Sequence, residues 1–179
     1  MLRRILLASG LLLASSLAGL LPATAHGPTP QRADESIVVE APADQVWKLV
    51  SSFGGIGDWN PLVKKVAFTG GDAAGAERTL TLAKGEITEG LDEVDPAAKR
   101  ISYRLLKENV EAIPVSFYTA TIEVKPSGGG SEVAWSARFY RADTTNEPPE
   151  ELNDAAAIAA MTDFIKQGLE GLKAKAGGK

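Results

Sequence analysis

The 179-residue sequence contains no cysteine and a single histidine, His26. Disulfides therefore cannot hold the domain together, and a packed apolar core must do so. Without cysteine or a histidine inside the domain, thiol nucleophiles and Ser-His-Asp triads are excluded. No glycine-rich phosphate loop follows a strand, and no EF-hand or zinc spacing occurs. Cation surplus is lacking too: 19 Lys and Arg stand against 23 Asp and Glu, a net charge of −4. Nucleic acid, whose phosphates demand a basic face, is therefore not an expected partner.

The first 25 residues differ from the rest. Arg3 and Arg4 precede an apolar run from Ile5 to Leu21, Pro22 breaks it, and Ala23-Thr24-Ala25 places small residues where a signal peptidase reads. The segment 1–25 is expected to be a secretory signal and the mature protein to be periplasmic, with no membrane association after cleavage. The competing reading is an uncleaved anchor, because about 17 apolar residues approach the length that spans a bilayer. Losing Arg3 and Arg4 leaves 17 basic and 23 acidic residues, a net charge of −6. Cleavage after Ala25 would make His26 the first residue, where amine and imidazole together chelate copper. The chain offers no further histidine or cysteine ligand, so neither a metal nor a cofactor is expected.

Residues 26–35 are short and polar and are read as a flexible leader. One domain is expected over 36–174. Ser36-Ile37-Val38-Val39-Glu40 is a β-branched run closed by Ala41-Pro42, and Pro42 suits the first turn of a helix carrying Val46, Trp47, Leu49 and Val50. Gly54-Gly55 ends that helix, and a short turn covers Ile56 to Asn60. Period-two segments follow at Val63–Phe68, Arg78–Ala83, Glu86–Val94, Arg100–Lys107, Ser116–Lys125 and Glu132–Arg141, separated by short Gly, Asp and Pro turns. Such connections join antiparallel neighbours. A final helix from about Pro149 to Lys173 bears Ala155, Ile158, Met161, Ile165, Leu169 and Leu172 as its apolar stripe, with Gly168 and Gly171 either weakening it or permitting close approach. The expected fold is α+β: a curved antiparallel sheet of about seven strands around one long C-terminal helix, leaving a hollow between them.

Alternation selects the side chains that face this hollow. Ile87, Glu89 and Leu91 share a face, which directs Glu89 toward the covered side, where an unpaired carboxylate is costly. It serves there either as a proton acceptor or anchor for a polar ligand group, or as a structural carboxylate bonded to a nearby tyrosine or tryptophan. Tyr103 lies with Ile101 and Leu105, Tyr118 with Ala120, Ile122 and Val124, and Trp135 with Val133, Ala137 and Phe139. These rings suit a ligand cavity and an ordinary core alike. Trp59, on a Gly-Asp-Trp-Asn-Pro loop, suggests a pocket mouth or a partner contact, against an equal case for packing. Arg141 ends the inward set of the last strand, where it either guards the opening or is solvated.

The motif Ile37-x-Val39-x-Ala41-Pro42-Ala43-Asp44-x-Val46-Trp47, then Phe53-Gly54-Gly55, Trp59-x-Pro61, Ile87-Thr88-Glu89-x-Leu91, Ile101-x-Tyr103 and Gly130-Ser131-x-Val133-x-Trp135, resembles the START-like (SRPBCC) superfamily. The similarity is greatest to its polyketide cyclase/dehydrase group. It implies the helix-grip fold; the candidate ligand-binding positions, chosen by alternation and by the loop placement of Trp59, are Trp59, Glu89, Tyr103, Tyr118 and Trp135. Because one fold serves carriers, cyclases and receptors, it does not by itself fix function. The Trp59-Asn60-Pro61 segment and the mature length further resemble the MxaD-like periplasmic proteins of methanol oxidation. That resemblance implies an accessory role, with methanol dehydrogenase and a c-type cytochrome as partners. The alternatives are a carrier or sensor of a small hydrophobic ligand, and a cyclase- or dehydratase-type enzyme using Glu89.

Overall fold

Alternating burial along six strands organises the molecule. In the computed structural model, which describes residues 28–177, strand β1 (Gln31–Val39) leads through Ala41-Pro42 into helix α1 (Ala43–Ser51) and a 3-10 turn at Phe53–Asp58. Then come β2 (Lys65–Thr69), β3 (Glu77–Leu82), β4 (Gly85–Asp95), β5 (Arg100–Lys107), β6 (Val115–Ser127) and β7 (Gly130–Arg141), and after a second 3-10 turn (Glu150–Leu152) helix α2 (Asp154–Ala176). The seven strands form one antiparallel sheet in the order β1-β7-β6-β5-β4-β3-β2. Short turns join β2 through β7 in sequence, whereas β1 pairs with β7 at the far edge. This is the expected helix-grip architecture. The signal segment 1–25 and His26 lie outside the described residues. Among those described, no helix is long and apolar enough to cross a membrane.

Three sequence expectations shift. Strand β1 begins at Gln31, five residues before Ser36, because Gln31–Glu35 pair with Phe139–Trp135 of β7. Half of the expected leader is therefore sheet, and Ala33 is core. Helix α2 starts at Asp154 rather than Pro149. Asn153 caps it, its side-chain oxygen accepting the Ala156 N–H at 2.9 Å. The buried stripe of α2 is Ala157, Met161, Phe164, Ile165, Gly168, Leu169, Leu172 and Ala176, while Ala155 and Ile158 are exposed. The N-terminal part of α2 thus buries Ala157 in place of its two expected core positions.

Gly168 and Gly171 are there for close approach. A β-carbon on Gly168 would lie 2.6 Å from the Trp135 ring, and one on Gly171 would overlap the Trp59 carbonyl oxygen. Their bare faces let α2 settle on the Trp59-Asn60-Pro61 loop as well as on the sheet. Three register shifts, at Thr88/Glu89 and Leu91/Glu93 between β4 and β5 and at Ser116/Thr119 between β6 and β7, interrupt the ladder. Such bulges bend and twist a sheet. The first and the last fall beside two of the inward polar side chains, Glu89 and Tyr118.

Candidate functional site: a dry ion pair beneath a small cavity

The register places Arg78 of β3 directly opposite Glu89 of β4, both on the concave face. Arg78 Nε donates to Glu89 Oε2 at 2.5 Å and Arg78 Nη1 donates to the Phe53 carbonyl at 2.8 Å. The guanidinium carbon stands 4.1 Å from the centre of the Phe53 ring and 4.8 Å from that of Tyr103, so two aromatic faces flank the cation. The Tyr118 hydroxyl donates to the other carboxylate oxygen, Glu89 Oε1. Arg78 and Glu89 are 2% and 1% exposed, which removes water as a competitor for these bonds. Arg78 Nη2 has no hydrogen-bond partner among the described residues.

Both phenols respond to this setting. Burial pushes the Tyr118 hydroxyl well above the usual tyrosine range, and the charges of Glu89 and then Tyr103 raise it further. Burial and the Glu89 charge also raise Tyr103, against the opposing pull of Arg78 and Trp135. Both tyrosines keep their protons at ordinary pH. To act as a base, Glu89 would have to give up Tyr118 or Arg78.

Glu89, Tyr103, Tyr118 and Trp135 do come together. With Ile113 and Phe164 they enclose a cavity of about 10 Å³, room for about one water molecule. The expected hollow is thus almost filled, because Met161 and Phe164 of α2 descend into it. Beside it opens an apolar cleft of about 160 Å³, lined by Leu62, Leu82, Ala112, Ala160 and Asp163, which shares Ile113 and Phe164 with the inner cavity.

Trp59 is elsewhere. It is 5% exposed and stacks edge-on against Trp135 at 5.8 Å, with Phe164 on Trp135 at the same distance. It borders neither cavity and presents no ring to a partner, which corrects the loop-contact expectation. The two helix glycines explain why: a loop aromatic becomes core when the helix above it has no side chain in the way. Arg141 is likewise not a solvated strand end. It is buried, bonded through Nε to the Asp143 carbonyl (2.6 Å), through Nη2 to the Thr145 carbonyl (2.7 Å) and through Nη1 to Asp154 (3.0 Å). Arg78 is the residue that sequence reasoning missed. The signal was present, since Arg78 alternates inward with Leu80 and Leu82.

A seven-stranded sheet gripping one helix, with a few polar groups buried between them, defines an SRPBCC-type helix-grip protein. Residues 30–177 match the family described as polyketide cyclase/dehydrase and lipid transport, and the chain belongs to it. No functionally curated protein matches the sequence. Among solved structures, a Thermobifida fusca protein is 29% identical, with a TM-score of 0.64 over 82% of this chain and 93% of its own. XoxI from Bacillus cereus is 24% identical, with a TM-score of 0.66 over 81% and 94%. The Zhui aromatase/cyclase from a Streptomyces is 20% identical, with a TM-score of 0.66 over 83% and 94%. The last two likenesses show the fold alone.

Proposed function

We propose that this chain is an exported binding factor rather than an enzyme, and that it serves methanol oxidation by assisting a methanol dehydrogenase and its c-type cytochrome acceptor in the periplasm. The observation that carries the non-catalytic half is the state of Glu89. Both of its oxygens are engaged, by Arg78 and by Tyr118, above a cavity too small for an organic substrate. The setting in methanol oxidation is supported by the export-type leader and by the resemblance of Trp59-Asn60-Pro61 to the MxaD-like proteins. The test is turnover of purified methanol dehydrogenase with its cytochrome at low salt. Adding this protein should raise the rate of cytochrome reduction, and an unchanged rate overturns the proposal.

The apolar cleft beside the inner cavity favours a second reading, a carrier of a small hydrophobic ligand. At about 160 Å³ the cleft is below the usual 300–1,000 Å³ of ligand pockets, so the cargo would be small unless Ile113 and Phe164 move aside. Native mass spectrometry of protein purified from its own periplasm should then show one retained small molecule. A mass equal to the bare chain rejects this reading.

A further inference from the structure

The convex face of the sheet carries a feature that the interior does not explain. Phe117 of β6 has φ of 48°, in the left-handed region, and is 74% exposed. It sits in the Ser116/Thr119 bulge that turns Tyr118 inward toward Glu89. The bulge accounts for the backbone but not for the side chain. Glycine or asparagine adopts this conformation with little strain, whereas other side chains incur about 1–2 kcal/mol. Phenylalanine adds that strain and buries little in return.

Apolar side chains also stand on the two flanking strands. Leu106 of β5, 43% exposed, lies across Gly90 beside the Thr88/Glu89 bulge, and half-buried Tyr140 pairs with Ser116 in register. Alongside runs a cross-strand row in which Arg104 faces Thr119, Thr119 faces Arg138, and Arg138 faces Arg32. Placing Arg138 directly opposite Arg32 is unfavourable for the sheet by itself. Asp92 partly answers Arg104 and Asp34 answers Arg32, while Arg138 is exposed and has no carboxylate partner among the described residues.

We propose that this face is a docking surface for a protein that presents carboxylates around an apolar recess, with Phe117 as the anchor and Arg138 as the charge that orients it. Aromatic and arginine side chains are enriched at interface hot spots. An anionic lipid surface fits less well. Such surfaces select clusters of four to eight basic residues, and the net charge of −4 works against them. The surface deepens the accessory reading above and rests on it only for the name of the partner.

The experiment places a benzophenone side chain at position 117 of the full protein in its native cells, with Lys48 on α1 as the control site. Position 117 should cross-link an acidic protein that position 48 does not, and mass spectrometry identifies it. With that protein purified, Arg138→Glu and Phe117→Asn should each weaken binding about tenfold or more, and Lys48→Glu less than about twofold. Asparagine tolerates the left-handed backbone, so Phe117→Asn should melt no lower than the parent, which separates lost binding from lost fold. Cross-linking no greater at 117 than at 48, cross-linking to lipid alone, or parent-like binding by both variants overturns the surface. If the partner is an acidic protein outside methanol oxidation, the surface stands and the accessory reading falls. If turnover is stimulated equally by Arg138→Glu and Phe117→Asn, the reading stands and the surface falls.

Discussion

Two arginines are buried among the described residues, and they are held in different ways. Arg78 sits on the concave face with its charge matched by Glu89, its Nε and Nη1 on protein acceptors and its faces against Phe53 and Tyr103. Arg141 sits where the sheet meets the loop into α2, held by two backbone carbonyls and by Asp154, itself 37% exposed. The first is shut off from bulk water, and the second has it close by. A buried ion pair contributes little net stability when made and costs much when half-removed. At a rim, solvent takes over part of the broken bonds. The interior site should therefore fail as a whole and the rim locally.

The largest expected effect follows from Arg78→Ala. It leaves the Glu89 carboxylate buried with Tyr118 as its only partner and should cost about 3–5 kcal/mol. For a domain of this size that is a fall on the order of 10 °C in melting temperature. Calorimetry reads it directly, and a loss below about 1 kcal/mol would mean that water enters the site. Arg141→Ala should cost less, about 2 kcal/mol, from lost hydrogen bonds to a charged donor. Its signature is spatial. Amide exchange should accelerate from Ala142 to Asn153 and in the first turn of α2, while β3 and β4 stay protected. Uniformly faster exchange would erase the distinction between the two sites.

Tyr118→Phe separates the parts of the interior network. The ring and its packing remain, but Glu89 Oε1 loses its donor, for an expected cost of about 1–2 kcal/mol. If this variant is as stable as the parent, the hydroxyl contributes nothing and Arg78 alone satisfies the carboxylate.

The same contrast explains what could be read in the sequence. Six period-two segments and one amphipathic helix sufficed for the helix-grip fold, because alternation and helical spacing are properties of single segments. Glu89, Tyr103, Tyr118 and Trp135 were placed inward by that rule and do line one cavity. Arg78 obeyed it too, yet a cation at the head of a strand reads as solvated until register sets it opposite Glu89. Arg141 ends its strand in the same way, and its acceptors lie in a loop with no periodicity. The burial of Trp59 depends on two glycines more than 100 residues later. The near-closure of the hollow depends on how far Met161 and Phe164 reach down. Pairing and packing between distant segments, not local pattern, decided each of these.

The smallest effect, and the finest test of the dry interior, lies in alkali. Tyr118 and Tyr103 keep their protons in the folded protein beyond the usual tyrosine range, because burial and the Glu89 charge oppose a phenolate. In the unfolded chain they ionise near pH 10. Below that pH both states hold the same protons on these groups, and the contribution to stability is full and constant. Above it the unfolded chain holds fewer protons, so stability falls as pH rises. Denaturant unfolding of the parent should therefore be level through neutral pH in this respect and decline from about pH 10 upward. Tyr118→Phe, already less stable at neutral pH, should decline less steeply over the same interval, since one of the two buried phenols is gone. Lysines titrate there too, so the difference in slope between the two proteins carries the information. Equal slopes would mean that Tyr118 ionises as easily in the folded protein as in the unfolded chain, which a carboxylate-bonded phenol shielded from water cannot do.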